Sequence, residues 1–307
     1  MTRSTIVTKL LTLTAHPLHI GQNDVILMLK TENNVMETML QHIKRSWLYP
    51  VVLLFLASCE LFEYHPYDTQ NFDKTEVNAA NIAKIELQDN QSDTLRFVLI
   101  GDSQRYYDET EDFVDNINQR NDIDFVIHAG DITDFGLSKE YEWMYDILDK
   151  LQVPFVTLIG NHDVIGHGKE VYLTVFGDYN FSFVSHRTRF ICLNTNALEF
   201  DYSTPVPDFD YMLGFMTDSA DIDQTIVVMH APPYSDQFNN NSALMFNHIL
   251  GEYKNLRFCL HGHNHQLEVN DFFDNGILYY GCEDISKRSY MVFTVTPENY
   301  SYTIEQF

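Results

Sequence analysis

Three observations place residues 94–307 in the α/β class. From Leu95 onward, strand-like apolar runs alternate with amphipathic helical segments, the pattern of βαβ units around a parallel sheet. Three successive runs, LRFVLIGD (95–102), DFVIHAGD (124–131) and PFVTLIGNHD (154–163), each close on glycine followed by a polar, ligand-type residue. Those three ends lie on one edge of a parallel sheet, where ligands sit in α/β folds.

The segments between and beyond these strands follow in order. Residues 59–93 are polar and read as a tether, with an edge strand at Ile82–Leu87. An acidic helix is predicted over 107–120. A second helix is predicted over 138–151, with Tyr141, Met144, Tyr145, Leu148 and Leu151 at helical spacing. Between the two lies FVIHAGDITD (125–134), in which Asp131 ends a buried strand. A buried carboxylate without a partner is costly, so Asp131 needs either a ligand or the next helix to cap. Residues 164–180 form a glycine-bearing loop with a short helix at 169–176, and 181–195 a hairpin turning at His186–Arg189. The stretch 196–224 is long, contains proline and aspartate, and is helical near 208–219. TIVVMHAPPY (225–234) is a strand ending in His230 before a Pro-Pro stop, followed by a helix over 243–255. LRFCLHGHNHQ (256–266) is a strand running into three histidines, and the tail alternates in short strands around Asn275-Gly276, a hairpin signal.

Composition narrows the function. Apolar residues make up 45% of the 307, with 22 Phe and 18 Tyr, enough for a full core. The net charge of −25, from 44 acidic and 19 basic residues, argues against a nucleic-acid partner, which requires clustered Lys and Arg. The same charge repels phosphorylated substrates unless local positive charge, such as metal, offsets it.

The first sixty residues carry a separate signal. In KRSWLYPVVLLFLASC (44–59), two basic residues precede an apolar run that is too short to span a bilayer. This is the layout of a secretory signal. Its ending, Leu56-Ala57-Ser58-Cys59, resembles the lipobox of bacterial lipoproteins, in which the signal is cut before the cysteine and that cysteine is acylated. Met36 and Met39 lie where a start would give a signal of about 20 residues. Residues 1–35 are therefore read as a non-native upstream extension, 36–58 as the signal peptide and Cys59 as the lipidation site. The expected location is the bacterial cell envelope, exported and held to the membrane by a lipid anchor only. Cys192 and Cys259 sit in apolar strands and are expected to be buried thiols, and Cys282 leaves an odd number.

The strand ends gather one chemistry: Asp102 with Gln104, Asp131 with Asp134, Asn161-His162-Asp163, His230, and His263 with His265. Carboxylates, amide oxygens and imidazoles suit borderline cations such as Mn, Fe or Zn, and the set is too large for one ion and suits two. The ordered motifs GDSQ (101–104), GDITD (130–134), GNHD (160–163), the strand ending in His230 and GHNH (262–265) resemble the calcineurin-like metallophosphoesterase family over about residues 95–266.

The resemblance implies a four-layer αββα sandwich of two mixed β-sheets and a dinuclear metal-dependent phosphohydrolase. It implies that Asp131 bridges two divalent ions, with Asp102, Gln104 and His265 completing one site and Asn161, His230 and His263 the other. His162 is then the catalytic residue acting on the phosphoryl group, and Asp134 and Asp163 orient ligands. A metal-bridging hydroxide is the implied nucleophile, attacking a phosphorylated small-molecule or envelope substrate. The family's first motif is usually Asp-x-His, and here it is Asp102-Ser103-Gln104. A neutral amide oxygen is a weaker, harder ligand than imidazole, so a preference for Mn²⁺ or Mg²⁺ is expected at that site. The alternative is an envelope lipoprotein that binds metal and phosphate without turnover. Arg105 and His167 are candidate substrate contacts, Tyr234 and Asn196 weaker ones, and His128 and His261 are expected to be structural. The loops at 164–180 and 196–224 are expected to define the substrate, which the motifs do not encode.

Overall fold

The computed structural model describes residues 31, 34–39, 41–42, 65–69, 72–88, 93–200, 204–216 and 221–307. The chain divides into two units, Met1–Tyr64 and His65–Phe307. In the first, the described residues are helical and exposed. Among the described residues no helix is long and apolar enough to cross a membrane. Residues 43–64, which include most of the predicted signal peptide and Cys59, lie outside the described residues.

Among the described residues, the second unit contains eleven strands: β1 (Leu95–Ile100), β2 (Phe125–His128), β3 (Phe155–Thr157), β4 (Phe181–Ser185), β5 (Thr188–Leu193), β6 (Gln224–Met229), β7 (Leu256–His261), β8 (Glu268–Asn270), β9 (Tyr279–Gly281), β10 (Ser289–Val295) and β11 (Tyr300–Gln306). Its helices are α1 (Val77–Leu87), α2 (Tyr107–Ile117), α3 (Ser138–Leu148), α4 (Gly168–Val175), α5 (Phe209–Leu213) and α6 (Ala243–Gly251). One sheet runs β11-β10-β1-β2-β3 and the other β4-β5-β6-β7-β9-β8. Both are mixed: β1, β2 and β3 are parallel, as are β5, β6, β7 and β9, while β10, β11, β4 and β8 join antiparallel.

Strand alternation builds the layers. Leu95, Phe97 and Leu99 of β1 face the second sheet with Phe125, Phe190, Phe258 and Phe293, while Val98 and Ile100 face the other way, toward Phe113 of α2 and Tyr141 of α3. On the second sheet Ile226 and Val228 turn inward, and Val227 and Met229 turn outward onto Phe246 of α6. Strands buried on both faces must be apolar throughout, which is why β1, β2 and β6 read as continuous hydrophobic runs. The inter-sheet layer is aromatic: Phe97 stacks on Phe125 and Phe293 at 5.5 and 5.3 Å between ring centroids and meets Phe190 edge-on at 5.2 Å. The order is helices, sheet, sheet, helices, as the resemblance implies. Cys192, Cys259 and Cys282 are buried free thiols.

The expected edge strand at Ile82–Leu87 is instead the end of helix α1. Val77, Asn81 and Ile85, four residues apart, are its buried face, and the segment's alanines favour helix. The role of an edge strand passes to one side chain. The Asn78 carboxamide accepts from Thr157 N–H and donates to Thr157 O, both at 2.9 Å, and closes the free edge of β3. The tail also differs from a tight hairpin at Asn275-Gly276. β8 and β9 are joined by a loop in which the Asp271 carboxylate accepts from the amides of Asn275 and Gly276 at 3.1 and 2.8 Å.

The far end of the first sheet is tied by charge. Asp122 accepts from Arg96 of β1 at 2.5 Å and from both Nε and Nη2 of Arg120 at 2.9 Å, and Arg120 also pairs with Glu305 of β11. Hydrogen bonding to Arg120 holds the Asp122 carboxyl at about 2, below its ordinary 3.8, against the pull of burial. A depressed carboxyl stabilises the fold above its unfolded pKa and loses that contribution as pH falls through the folded value. The Asp122→Asn variant is therefore expected to melt below wild type at pH 7, and the gap should close between pH 4 and pH 2 when thermal melts are compared.

Candidate metal centre

The site lies where strand ends of both sheets meet. Asp102 follows β1, Asp131 follows β2, Asn161 lies beyond β3, His230 follows β6, and His263 and His265 follow β7. Of the twelve non-glycine residues with positive φ among the described residues, Asp102, Gln104, Asp131, His263 and His265 are five. Side chains reach that region only at a cost, and it concentrates at functional sites. The left-handed turns fold each chain back so that side chains leaving different strands converge. Close backbone approach makes this feasible: a Cβ on Gly160 would lie 2.1 Å from Asp131 N.

Asp131 is buried at the centre. Its Oδ1 accepts from His162 N–H at 2.9 Å, its Oδ2 accepts from Gln104 Nε2 at 3.1 Å, and His230 Nε2 lies 3.4 Å from Oδ2. Asp102 accepts from His263 N–H at 3.1–3.2 Å, and His265 Nε2 is 3.2 Å from its Oδ1. Ligand atoms of Asp102, Asp131 and His230 lie within 4.8 Å of one another. Asn161 extends the group, with its Oδ1 2.9 Å from His230 Nε2 and 3.0 Å from His263 Nδ1.

The outer nitrogens of those two rings decide what the inner ones can do. His230 Nδ1 donates to Ala129 O at 2.8 Å, and His263 Nε2 donates to the Asp236 carboxylate at 2.8 Å. In a neutral imidazole only one nitrogen carries hydrogen. The inner His230 Nε2, His263 Nδ1 and Asn161 Oδ1 then present three lone pairs to one another. Such an arrangement is repulsive without a positive charge among them, so the donor set fits a cation. Burial opposes charge on His230, yet Asp131 raises its pKa above the ordinary value. His263 is shifted down by burial and by the charge of His230.

The surrounding residues hold the turns. The Asp163 carboxylate accepts from the amides of Asp131, Ile132, Thr133 and Gly160 and from Thr133 Oγ1, at 2.8–3.2 Å. Asp134 holds two candidates: its carbonyl accepts from His162 Nδ1 at 3.0 Å, and its carboxylate accepts from Arg105 at 2.9 Å. His128 lies behind the site. Its Nδ1 accepts from Gly130 N–H at 3.2 Å and its Nε2 donates to Ser103 Oγ at 2.8 Å, bracing the turns that carry Asp131 and Asp102. His261 donates from Nδ1 to Gly262 O at 2.8 Å. His167 is not brought into the group. It is exposed, with ring contacts to Tyr67 and His65. Tyr234 is exposed against Phe273, while Asn196 is buried and donates to Ile159 O at 2.9 Å.

The family model of calcineurin-like phosphoesterases matches residues 95–267. The chain belongs to the calcineurin-like phosphoesterase family. A probable cyclic nucleotide phosphodiesterase of Moraxella catarrhalis is 21% identical over 166 residues, 48% of this chain and 60% of that protein, so the chain spans less than two thirds of it. A 3′,5′-cyclic-nucleotide phosphodiesterase of Nostoc sp. is 25% identical over 210 residues, 63% of this chain and 73% of that protein. Among solved structures, a purple acid phosphatase from yellow lupin seeds aligns with a TM-score of 0.56 at 14% identity, covering 71% of this chain and 52% of that one. GAP50, described as the anchor in the inner membrane complex of Plasmodium, aligns at 0.54 and 16%, covering 69% and 84%. These two likenesses concern the fold.

Two features of this member of the family were not legible in its motifs. Asp236 lies outside every motif, six residues after His230 in sequence, and meets a histidine from another strand. Asp284, buried beside Gly101, places Oδ2 3.9 Å from His265 Nδ1. The position of Asp163 yields a prediction. Asp163→Asn turns an acceptor into an NH₂ group facing backbone donors, so the variant is expected to lose about 1–3 kcal/mol of stability in denaturant melts. It should also retain less metal than wild type after dialysis.

Proposed function

We propose that this phosphoesterase hydrolyses a phosphate ester with two divalent cations. Asp102, Gln104, Asp131 and His265 would hold one; Asp131, Asn161, His230 and His263 would hold the other. The observation that carries the reading is the convergence of Asn161 Oδ1, His230 Nε2 and His263 Nδ1 beside the buried Asp131 carboxylate. When bound, the cations supply an activated water and neutralise charge on the phosphoryl oxygens. His162 is held at Nδ1 by Asp134 and is 34% exposed, which leaves Nε2 as the free ring nitrogen. From there the ring would act as general acid toward a phosphoryl or leaving oxygen. Arg105, 62% exposed and tied to Asp134 through one nitrogen, keeps further donors for the substrate's phosphate.

Two relatives are named as cyclic nucleotide phosphodiesterases, so a 3′,5′-cyclic nucleotide is the first diester to test. Gln104 directs Nε2 at Asp131 Oδ2, and its amide must turn over for the oxygen to ligate. That supports a weaker first site, preferring Mn²⁺ or Mg²⁺. The same observation favours the second reading, metal and phosphate binding without turnover. A panel of a cyclic nucleotide, a generic diester and a monoester, run with Mn, Fe, Zn and Mg, separates the two. Hydrolysis is expected, with metal binding lost in Asp131→Ala and a 10²–10⁴-fold slower rate with metal retained in His162→Ala. Two bound metals with no turnover on any ester would establish the binding-only reading.

The segment ending in Leu56-Ala57-Ser58-Cys59 supports export and acylation at Cys59. Cells expressing the protein are expected to incorporate labelled palmitate into it and to retain it in the membrane fraction, and Cys59→Ala should abolish both.

A further inference from the structure

We propose that Asp236 is a positioning residue that fixes the tautomer of His263 and thereby the affinity of the cation site shared by Asn161, His230 and His263. The inference rests on reading His263 as a metal ligand. Asp236 Oδ1 lies 2.8 Å from His263 Nε2. A carboxylate can only accept, so the ring hydrogen sits on Nε2 and the Nδ1 lone pair is left at 3.0 Å from Asn161 Oδ1. The opposite tautomer would place a hydrogen between Nδ1 and Asn161, where the cation belongs. Outer partners of this kind set ligand orientation and basicity.

The loop carrying Asp236 is held in place by its own bonds. Tyr234, with φ +70°, donates its amide to Asn240 Oδ1 at 2.7 Å, and Asn240 Nδ2 returns to Ser235 O at 2.8 Å. Ser235 Oγ donates to Pro232 O at 2.8 Å, and Gln237 O accepts from Ala197 N–H at 2.8 Å. Asp236 projects between these anchors with its side chain 79% exposed, and His263 is its hydrogen-bond partner. A single loop thus supplies one ligand, His230, and orients another, His263, from the neighbouring strand. Because Asp236 is exposed, removing its carboxylate leaves no buried cavity behind.

The test uses the full chain and Mn²⁺. Imidazole ¹⁵N spectra of the metal-free protein are expected to show His263 protonated at Nε2. In Asp236→Ala that preference should vanish. Chelator competition should then show 10–100-fold weaker Mn²⁺ binding at one of two sites, at an unchanged melting temperature for the metal-free protein. Asp236→Asn keeps an acceptor oxygen and should restore much of the affinity. An Nδ1-protonated His263 in wild type, or wild-type tautomer and Mn²⁺ affinity in Asp236→Ala, overturns the inference. Wild-type protein that binds no Mn²⁺, Fe, Zn or Mg at all overturns the metal reading instead, and the proposal with it.

Discussion

A carboxylate withdrawn from water at the junction of two sheets governs this structure. Desolvating an ion costs several kcal/mol even after relaxation, and Asp131 is compensated from three directions: the His162 amide from beyond β3, the Gln104 amide from beyond β1, and the His230 ring from beyond β6. Two of these partners belong to its own sheet and one to the other. The carboxylate is therefore satisfied only if the sheets sit at a fixed distance and register. The aromatic layer of Phe97, Phe125, Phe190 and Phe293 sets that spacing. Packing and polar chemistry thus specify the same geometry.

Much of this was legible in the sequence for a physical reason. Strands buried on both faces have no freedom of composition, so β1, β2, β3, β6 and β7 announce themselves as apolar runs, and the glycine-polar ends mark where each one stops. Helix α3 shows its periodicity in sequence, and the spans predicted for α2, α3 and α6 run past their ends at Ile117, Leu148 and Gly251 because no glycine or proline marks the stop of α2 or α3. Helix α1 was misread because Ile82–Leu87 alternates locally, while its helical face, Val77, Asn81 and Ile85, spans a longer window. The distribution of the tail strands between the two sheets depends on tertiary pairing that no local pattern encodes.

The site was legible in its ligand-type residues and in Asp134 and Asp163, and illegible in its other supports. Asp102, Asp131, Asn161, His230, His263 and His265 follow from strand ends. The backbone carbonyl of Ala129 has no side-chain signature at all, and Asp236 sits in a loop whose path is fixed by its own hydrogen bonds. The strand position of His128 points its ring away from the strand ends, yet its place behind the site, joining Ser103 to Gly130, depends on tertiary packing. The left-handed backbone at five ligand-type residues is likewise invisible beforehand, because Asp, Gln and His carry no strong requirement for it.

That left-handed backbone has a consequence for the protein in its cell. Each such residue costs on the order of 1 kcal/mol or more, so the five together consume a sizeable share of the roughly 5–15 kcal/mol by which a domain is stable. A ligand that binds only the assembled junction offsets this: at about 100 times its dissociation constant it contributes about 2.7 kcal/mol. If the ligand is a cation, the supply of that ion governs the amount of folded protein as well as its activity. Metal starvation would then first appear as accelerated turnover of the chain.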